Sequence, residues 1–172
     1  GDLTAGGQGS LLAPHPAGTT ITPFIYLTGF SRGLNPASLG WDIPISTPLT
    51  GQSYQGPVRL RTALANDYLP PAQSVLAQMG NQSIQNIAAS FGLELPSSLL
   101  AHDFDVSLVA LAGAYGIFAN SGTQAGQGLT GTAIRPAAVL QVTAVDNSVW
   151  ADWSTPHSQS LLSPQLAYLM NH

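Results

Sequence analysis

The sequence predicts an α+β fold, and three observations carry that expectation. Apolar residues recur at helical spacing through much of the first two thirds of the 172 residues. "AAVLQVTAVDNSVWADW" (137–153) then alternates and is β-branched around a "DNS" turn, which predicts a β-hairpin of about 137–145 and 148–153. A last apolar segment, led by a proline, returns to helical character, so the order is helices, hairpin, helix. No internal repeat is visible. With 44% apolar residues the chain is long enough for one domain with a core of its own.

Residues 1–18, rich in Gly, Pro and Ala, read as an irregular lead-in. "AGTTITPFIYLTGF" (17–30) opens a helix of about 20–32 that Gly33 stops. Thr19 or Thr20 can cap its free N–H groups, and Pro23 costs nothing in a first turn. Residues 34–57, with Pro36, Pro44, Pro48 and Pro57, predict a long ordered loop pinned by Trp41 and Tyr54. "VRLRTALAND" (58–67) reads as a short helix with Leu60 and Leu64 on one face, ended by Pro70–Pro71. "AQSVLAQMG" and "SIQNIAASFG" are two more helices, closed by Gly80 and Gly92. In the second, Ile84, Ile87, Ala88 and Phe91 mark one buried face. Asp105 is expected to cap the longest helix, with Leu108, Leu111, Ala112, Tyr115 and Phe118 as its core stripe. Ser163 and Pro164 start the last helix of 163–172, within which the sequence stops.

Charge narrows the function classes. The net charge is −4, Arg32, Arg59, Arg61 and Arg135 are the only cations besides histidine, and there is no Lys. Nucleic-acid binding needs a basic face to neutralise phosphates, so that class is excluded. The absence of Cys excludes disulfides and thiolate chemistry. "VSLVALAGAYGIFA" (106–119) is shorter than the roughly 20 apolar residues a membrane span needs. Charged residues make up 7% of the chain, against about 25% in an ordinary soluble domain. So bare a surface predicts a place within a larger polypeptide or beside a protein partner.

Several polar groups read as structural. "HDFD" (102–105) offers His102, Asp103 and Asp105, but without a second cluster capping and solvation outweigh a metal site. His15, His157 and His172 are scattered without zinc spacing, and no metal or other cofactor is expected. No G-x-S-x-G nucleophile elbow occurs; "GQSYQG" is one residue too long. "NQS" (81–83) fits a glycosylation sequon only as a lone tripeptide. Trp41, Trp150 and Trp153 are expected to pack in the core or hairpin.

Three runs together resemble a known family. "GTTITPFIYLTGF" (18–30) is similar to the G-S-x-F-K-P-F segment of class A penicillin-binding proteins, the peptidoglycan transpeptidases. "GPVRLRTALANDYLPPA" (56–72) resembles their R-x-A-L-A-N helix running into S-Y-N-x-P-A. "DVSLVALAGAYGIFANSG" (105–122) resembles their V-S-L-x-E-x-A-S-A-Y-G-x-F-A-N-x-G run. The matches keep their order, and "IRPAAVLQVTAVDNSVW" with "LLSPQLAYLM" looks like the strand pair and helix that follow. The resemblance implies a partial β-lactamase/transpeptidase-like domain over 1–172, mainly helical in 19–122, with a hairpin in 134–154. The K-T-G strand and the strands before the first motif would lie outside the sequence.

The resemblance also implies a site made of S-x-x-K, S-x-N and K-T-G. A serine hydroxyl is a weak nucleophile until a base takes its proton, and a desolvated lysine can be that base. Carried over residue by residue, the nucleophile falls on Thr19 and the lysine on Thr22. The second serine falls on Asp67 and the asparagine on Leu69. Thr19 keeps a hydroxyl behind a crowding methyl, and Thr22 cannot act as a base near neutral pH. A carboxylate is a poor base for a hydroxyl, so a hydrogen bond between Thr19 and Asp67, or capping by Thr19, is the plainer expectation. The implied protein is a catalytically degenerate transpeptidase kept for structure or interaction, extracytoplasmic and membrane-associated through flanking sequence or a partner. The alternatives are a non-catalytic binder of peptidoglycan stem peptides or β-lactams, or an acyl transferase or hydrolase using Thr19.

Overall fold

The computed structural model describes residues 13–45, 53–99, 104–128, 134–135 and 139–171. The chain divides into two compact units, residues 1–109 and 110–172.

In the first unit, β1 (Pro14–Pro16) pairs antiparallel with β4 (Asp105–Ser107), His15 opposite Val106. The Ala17 N–H donates to the carbonyl of Phe104 at 2.8 Å and extends the pairing. The lead-in is therefore extended where it is described, and Asp105 lies in a strand instead of capping a helix. A 3-10 turn, Gly18–Ile21, runs directly into α1 (Thr22–Ser31). Ile21 already has helical φ and ψ, so neither Thr19 nor Thr20 caps the helix. The Thr20 hydroxyl instead donates back to the carbonyl of Ala17.

β2 (Leu39–Asp42) and β3 (Gly56–Arg59) pair antiparallel, Trp41 opposite Pro57, within the segment expected to be a loop except for Val58 and Arg59, which were expected to open the next helix. Alternation hid behind the prolines, which occupy or flank the strands without breaking their pairing. Trp41 does not pin this hairpin from inside; it stands exposed. α2 (Leu60–Ala65) follows β3 without a break, and α3 (Leu69–Met79) begins at the proline pair. Pro70–Pro71 thus starts a helix rather than ending one: prolines need no N–H partner in a first turn. α4 (Asn81–Ser90) follows Gly80 and ends before Gly92, and Ile84 and Ala88 are buried on the expected face.

The core sits around α1, eight of whose ten residues are buried. α2, α3 and α4 all pack on it. Phe24 meets Phe91 edge to face at 5.4 Å between ring centroids. Gly29 lets α3 come close, because a β-carbon there would stand 3.1 Å from Val75 Cγ1. Fully burying side chains such as Phe24, Ile25 and Leu27 is worth about 1.5–3 kcal/mol each. A helix buried nearly all round shows no amphipathic stripe, so sequence periodicity pointed to a later helix as the centre.

That later helix is α5 (Leu108–Ala119), the longest one described. Its buried residues are Ala114, Ile117 and Phe118, while Leu108 and Tyr115 of the expected stripe are exposed. In the second unit, β5 (Thr123–Gly128) stands between β6 (Ile134–Arg135) and β9 (His157–Ser160), antiparallel to both. The expected hairpin is present as β7 (Gln141–Thr143) and β8 (Val149–Asp152), with Val142 opposite Ala151. Asp146 holds its turn by accepting the Ser148 N–H at 3.0 Å and hydroxyl at 2.7 Å, bonds that keep the carboxyl below its usual pKa. Trp150 and Trp153 are exposed on this hairpin instead of packed. α6 (Pro164–Asn171) starts as expected, Leu166 N–H donating to Ser163 Oγ at 3.3 Å. Asn171 Nδ2 caps the end of α5 by donating to the Phe118 carbonyl at 2.8 Å.

Candidate functional site

The four motif positions lie on two adjoining pieces of the first unit. Thr19 sits in the 3-10 turn and is exposed; its carbonyl accepts the Thr22 N–H. Thr22, the first residue of α1, is 1% exposed, and its hydroxyl has no hydrogen-bond partner among the described residues. Asp67 lies in the turn between α2 and α3, and Leu69 opens α3. The Asp67 backbone is left-handed at φ 53°, a conformation that Asp tolerates better than most residues. Its carboxylate is exposed and accepts no hydrogen bond from Thr19 among the described residues. Leu69 is half-buried as the first residue of α3.

α2 and α3, which flank the Asp67 turn, both pack on α1. Tyr26 lies on α1 one helical turn after Thr22. Its ring is fully buried, and its hydroxyl, like that of Thr22, lacks a partner among the described residues. Burial, then the carboxylate of Asp67, then that of Asp42, push the phenol well above the ordinary tyrosine pKa. It stays a neutral donor at any physiological pH. Asp42, at the end of β2, is 3% exposed and accepts the Gln55 N–H at 2.9 Å.

Sequence reasoning found Thr19, Thr22, Asp67 and Leu69 but missed Tyr26 and Asp42. The signal for Tyr26 was a polar group inside the apolar run "PFIYLTGF", four residues after Thr22 and so on the same helix face. Asp42 carried no signal, because its burial depends on a hairpin that read as a loop. Of the expected structural clusters, His102 and Asp103 lie outside the described residues. No group of three or more His, Cys, Asp or Glu that could hold a metal occurs among the described residues. No helix among them is long and apolar enough to cross a membrane.

No family model matches the chain. Its curated relatives include penicillin-binding protein 1A of Neisseria gonorrhoeae, 30% identical over 122 residues, covering 61% of this chain and 15% of that protein. Penicillin-binding protein 1A of Vibrio cholerae is 31% identical over 121 residues, again covering 61% of this chain and 15% of the relative. The chain thus spans about one seventh of the length of the relatives it matches. Among solved structures, penicillin-binding protein 1A of Haemophilus influenzae superposes with a TM-score of 0.79 at 18% identity, over 97% of this chain and 30% of that one. Penicillin-binding protein A of Mycobacterium tuberculosis, as its imipenem acyl-enzyme complex, gives a TM-score of 0.74 at 17% identity, over 91% of this chain and 42% of that one. Sequence and fold agree: the chain is similar to penicillin-binding proteins over part of its length, and its fold is that of a partial transpeptidase-like domain.

Proposed function

We propose that this chain belongs to a catalytically degenerate transpeptidase domain that serves as a structural or interaction subunit in a bacterial cell envelope. One observation carries the reading. Where the resemblance calls for a lysine base, Thr22 presents a buried hydroxyl with no partner among the described residues, and the chain contains no lysine. The exposed hydroxyl of Thr19 therefore has no base from this position, and general-base help is commonly worth about 10²–10⁴ in rate. Leu69, an apolar side chain where an amide would hold the donor peptide, supports the same reading.

The envelope location and the membrane association through flanking sequence or a partner rest on the identity of the relatives, which are bacterial penicillin-binding proteins. The low charge of the chain and its many exposed large apolar side chains, among them Trp41, Leu140 and Trp150, support a protein partner. Purification of the full-length protein from its own membranes tests this. A stoichiometric partner that survives washing in salt and detergent is the expected result; a monodisperse, unaccompanied monomer contradicts it.

A second reading rests on the exposure of Thr19 and Asp67, which leaves two polar groups at the site open to solvent. The domain then binds peptidoglycan stem peptides or β-lactams without turning them over. Calorimetry with muropeptides decides it: reversible heat supports the reading and its absence removes it.

A further inference from the structure

β2 has two unlike faces. Gly40 and Asp42 are buried on the side that packs on α3, where a β-carbon at Gly40 would stand 3.1 Å from Pro71 Cβ. Leu39 and Trp41 alternate with them and are 66% and 57% exposed on the other side. Ile43 and Ile45, just past the strand, are 46% and 62% exposed. One such side chain in solvent is ordinary, but four together on a firmly packed hairpin mark an interaction face. The antiparallel register sets Arg59 opposite Leu39 and Pro57 opposite Trp41. The outer side of the ladder therefore carries a guanidinium and no carboxylate among its described positions. Arg61, exposed in the first turn of α2, adds a second cation two residues on. Between Asp42 and Arg59 the sequence has no charged residue.

We propose that the outer side of the β2–β3 hairpin, with Leu39, Trp41, Ile43, Ile45 and Arg59, is a peripheral contact with an anionic lipid surface. Aliphatic side chains, an indole and a guanidinium on one face match the headgroup boundary. There the aliphatic groups leave water, the indole sits half in hydrocarbon, and the guanidinium meets phosphate. The positive charge of Arg59 complements anionic headgroups, and no charge on residues 43–58 opposes insertion. The β7–β8 hairpin makes the contrast. Its exposed Leu140 and Trp150 stand with Asp146 and Asp152, whose carboxyls are held below their usual pKa by Ser148 and Ser154. No Lys or Arg follows Arg135 in the sequence, so anionic lipid repels that hairpin and a protein partner suits it better. The lipid contact shares with the proposed function only the bacterial membrane. It requires neither an active nor an inactive Thr19, so a penicillin adduct would leave it standing.

Quenching of Trp41 by brominated lipid tests the contact. The full-length protein is reconstituted into vesicles of phosphatidylglycerol and phosphatidylethanolamine, or of phosphatidylcholine alone, with bromine on the acyl chains near the ester. The Trp41 signal is the difference in fluorescence between the protein and its Trp41→Phe variant. In the phosphatidylglycerol vesicles bromine is expected to lower it about twofold, as for an indole seated about 5–10 Å into the boundary. In phosphatidylcholine it is expected to stay near its value without bromine. Arg59→Gln is expected to shift the equilibrium away from the quenched state about fivefold, and the Ile43→Ser, Ile45→Ser double variant to abolish quenching. A Trp41 signal that bromine leaves unchanged in the anionic vesicles overturns the proposal. If that signal is also shielded from aqueous acrylamide, a protein covers the face instead. Equal quenching in both lipids, or quenching that Arg59→Gln leaves intact, overturns it as well.

Discussion

The phenol of Tyr26, buried on α1, feels the carboxylate of Asp67, in the turn before α3, as an unfavourable charge. Burial is the larger influence and the Asp67 charge the next, and both disfavour the phenolate. The folded state therefore holds the Tyr26 proton more tightly than the unfolded chain, where tyrosine titrates near pH 10. The stability this contributes is complete below about pH 10 and is lost as the pH rises from there toward the higher folded pKa. Urea unfolding across pH 8–11.5 is expected to show stability falling above pH 10. Tyr26→Phe is expected to flatten that fall, and a wild-type slope unchanged in the variant contradicts the burial of this phenol.

The packing of α1 makes a contrast between aromatics. Phe24 is fully buried against Phe91, so Phe24→Ala is expected to cost about 3–5 kcal/mol. Trp150, 76% exposed on β8, is expected to change stability by less than about 0.5 kcal/mol when replaced by Ala. Denaturant midpoints of the two variants measure the difference, and similar losses would contradict the burial described for them.

Two glycines separate backbone need from mere smallness. Gly122 has φ 85°, and a β-carbon there would stand 2.6 Å from the carbonyl oxygen of Leu162. Gly122→Ala is expected to destabilise by about 1–3 kcal/mol, because backbone must move to make room. Gly116, inside α5, has open space where its β-carbon would go. Gly116→Ala is expected to be neutral or to stabilise by up to about 1 kcal/mol through helix propensity. Thermal unfolding of both variants tests the pair, and a loss at Gly116 as large as at Gly122 would contradict it.

The legible part of the fold was the part with local signals. Gly80 and Gly92 closed their helices, Ser163 capped α6, and the Asp146 turn announced the β7–β8 hairpin. Pairings between distant segments left no such trace: β1 meets β4 across about ninety residues, and nothing near His15 points to Val106. The β5–β9 ladder was missed for a different reason, since "TQAGQG" and "HSQS" are polar and Gly-bearing, without β-branched alternation. α1 was found as a helix but not as the centre, because a helix buried on most sides has no polar face to reveal its orientation. At the site, Thr19, Thr22, Asp67 and Leu69 were readable from motif resemblance. Tyr26 and Asp42 were not, since their importance comes from what packs over them.

The central claim concerns acyl transfer, and one measurement reaches it directly. The full-length protein, isolated from its own membranes, is incubated with a fluorescent penicillin beside an active penicillin-binding protein, and intact masses are taken. The expected result is an unmodified mass for this protein while the active control is fully labelled. An adduct that maps to Thr19 would contradict the account, for it would mean that a hydroxyl without a lysine at Thr22 is still activated.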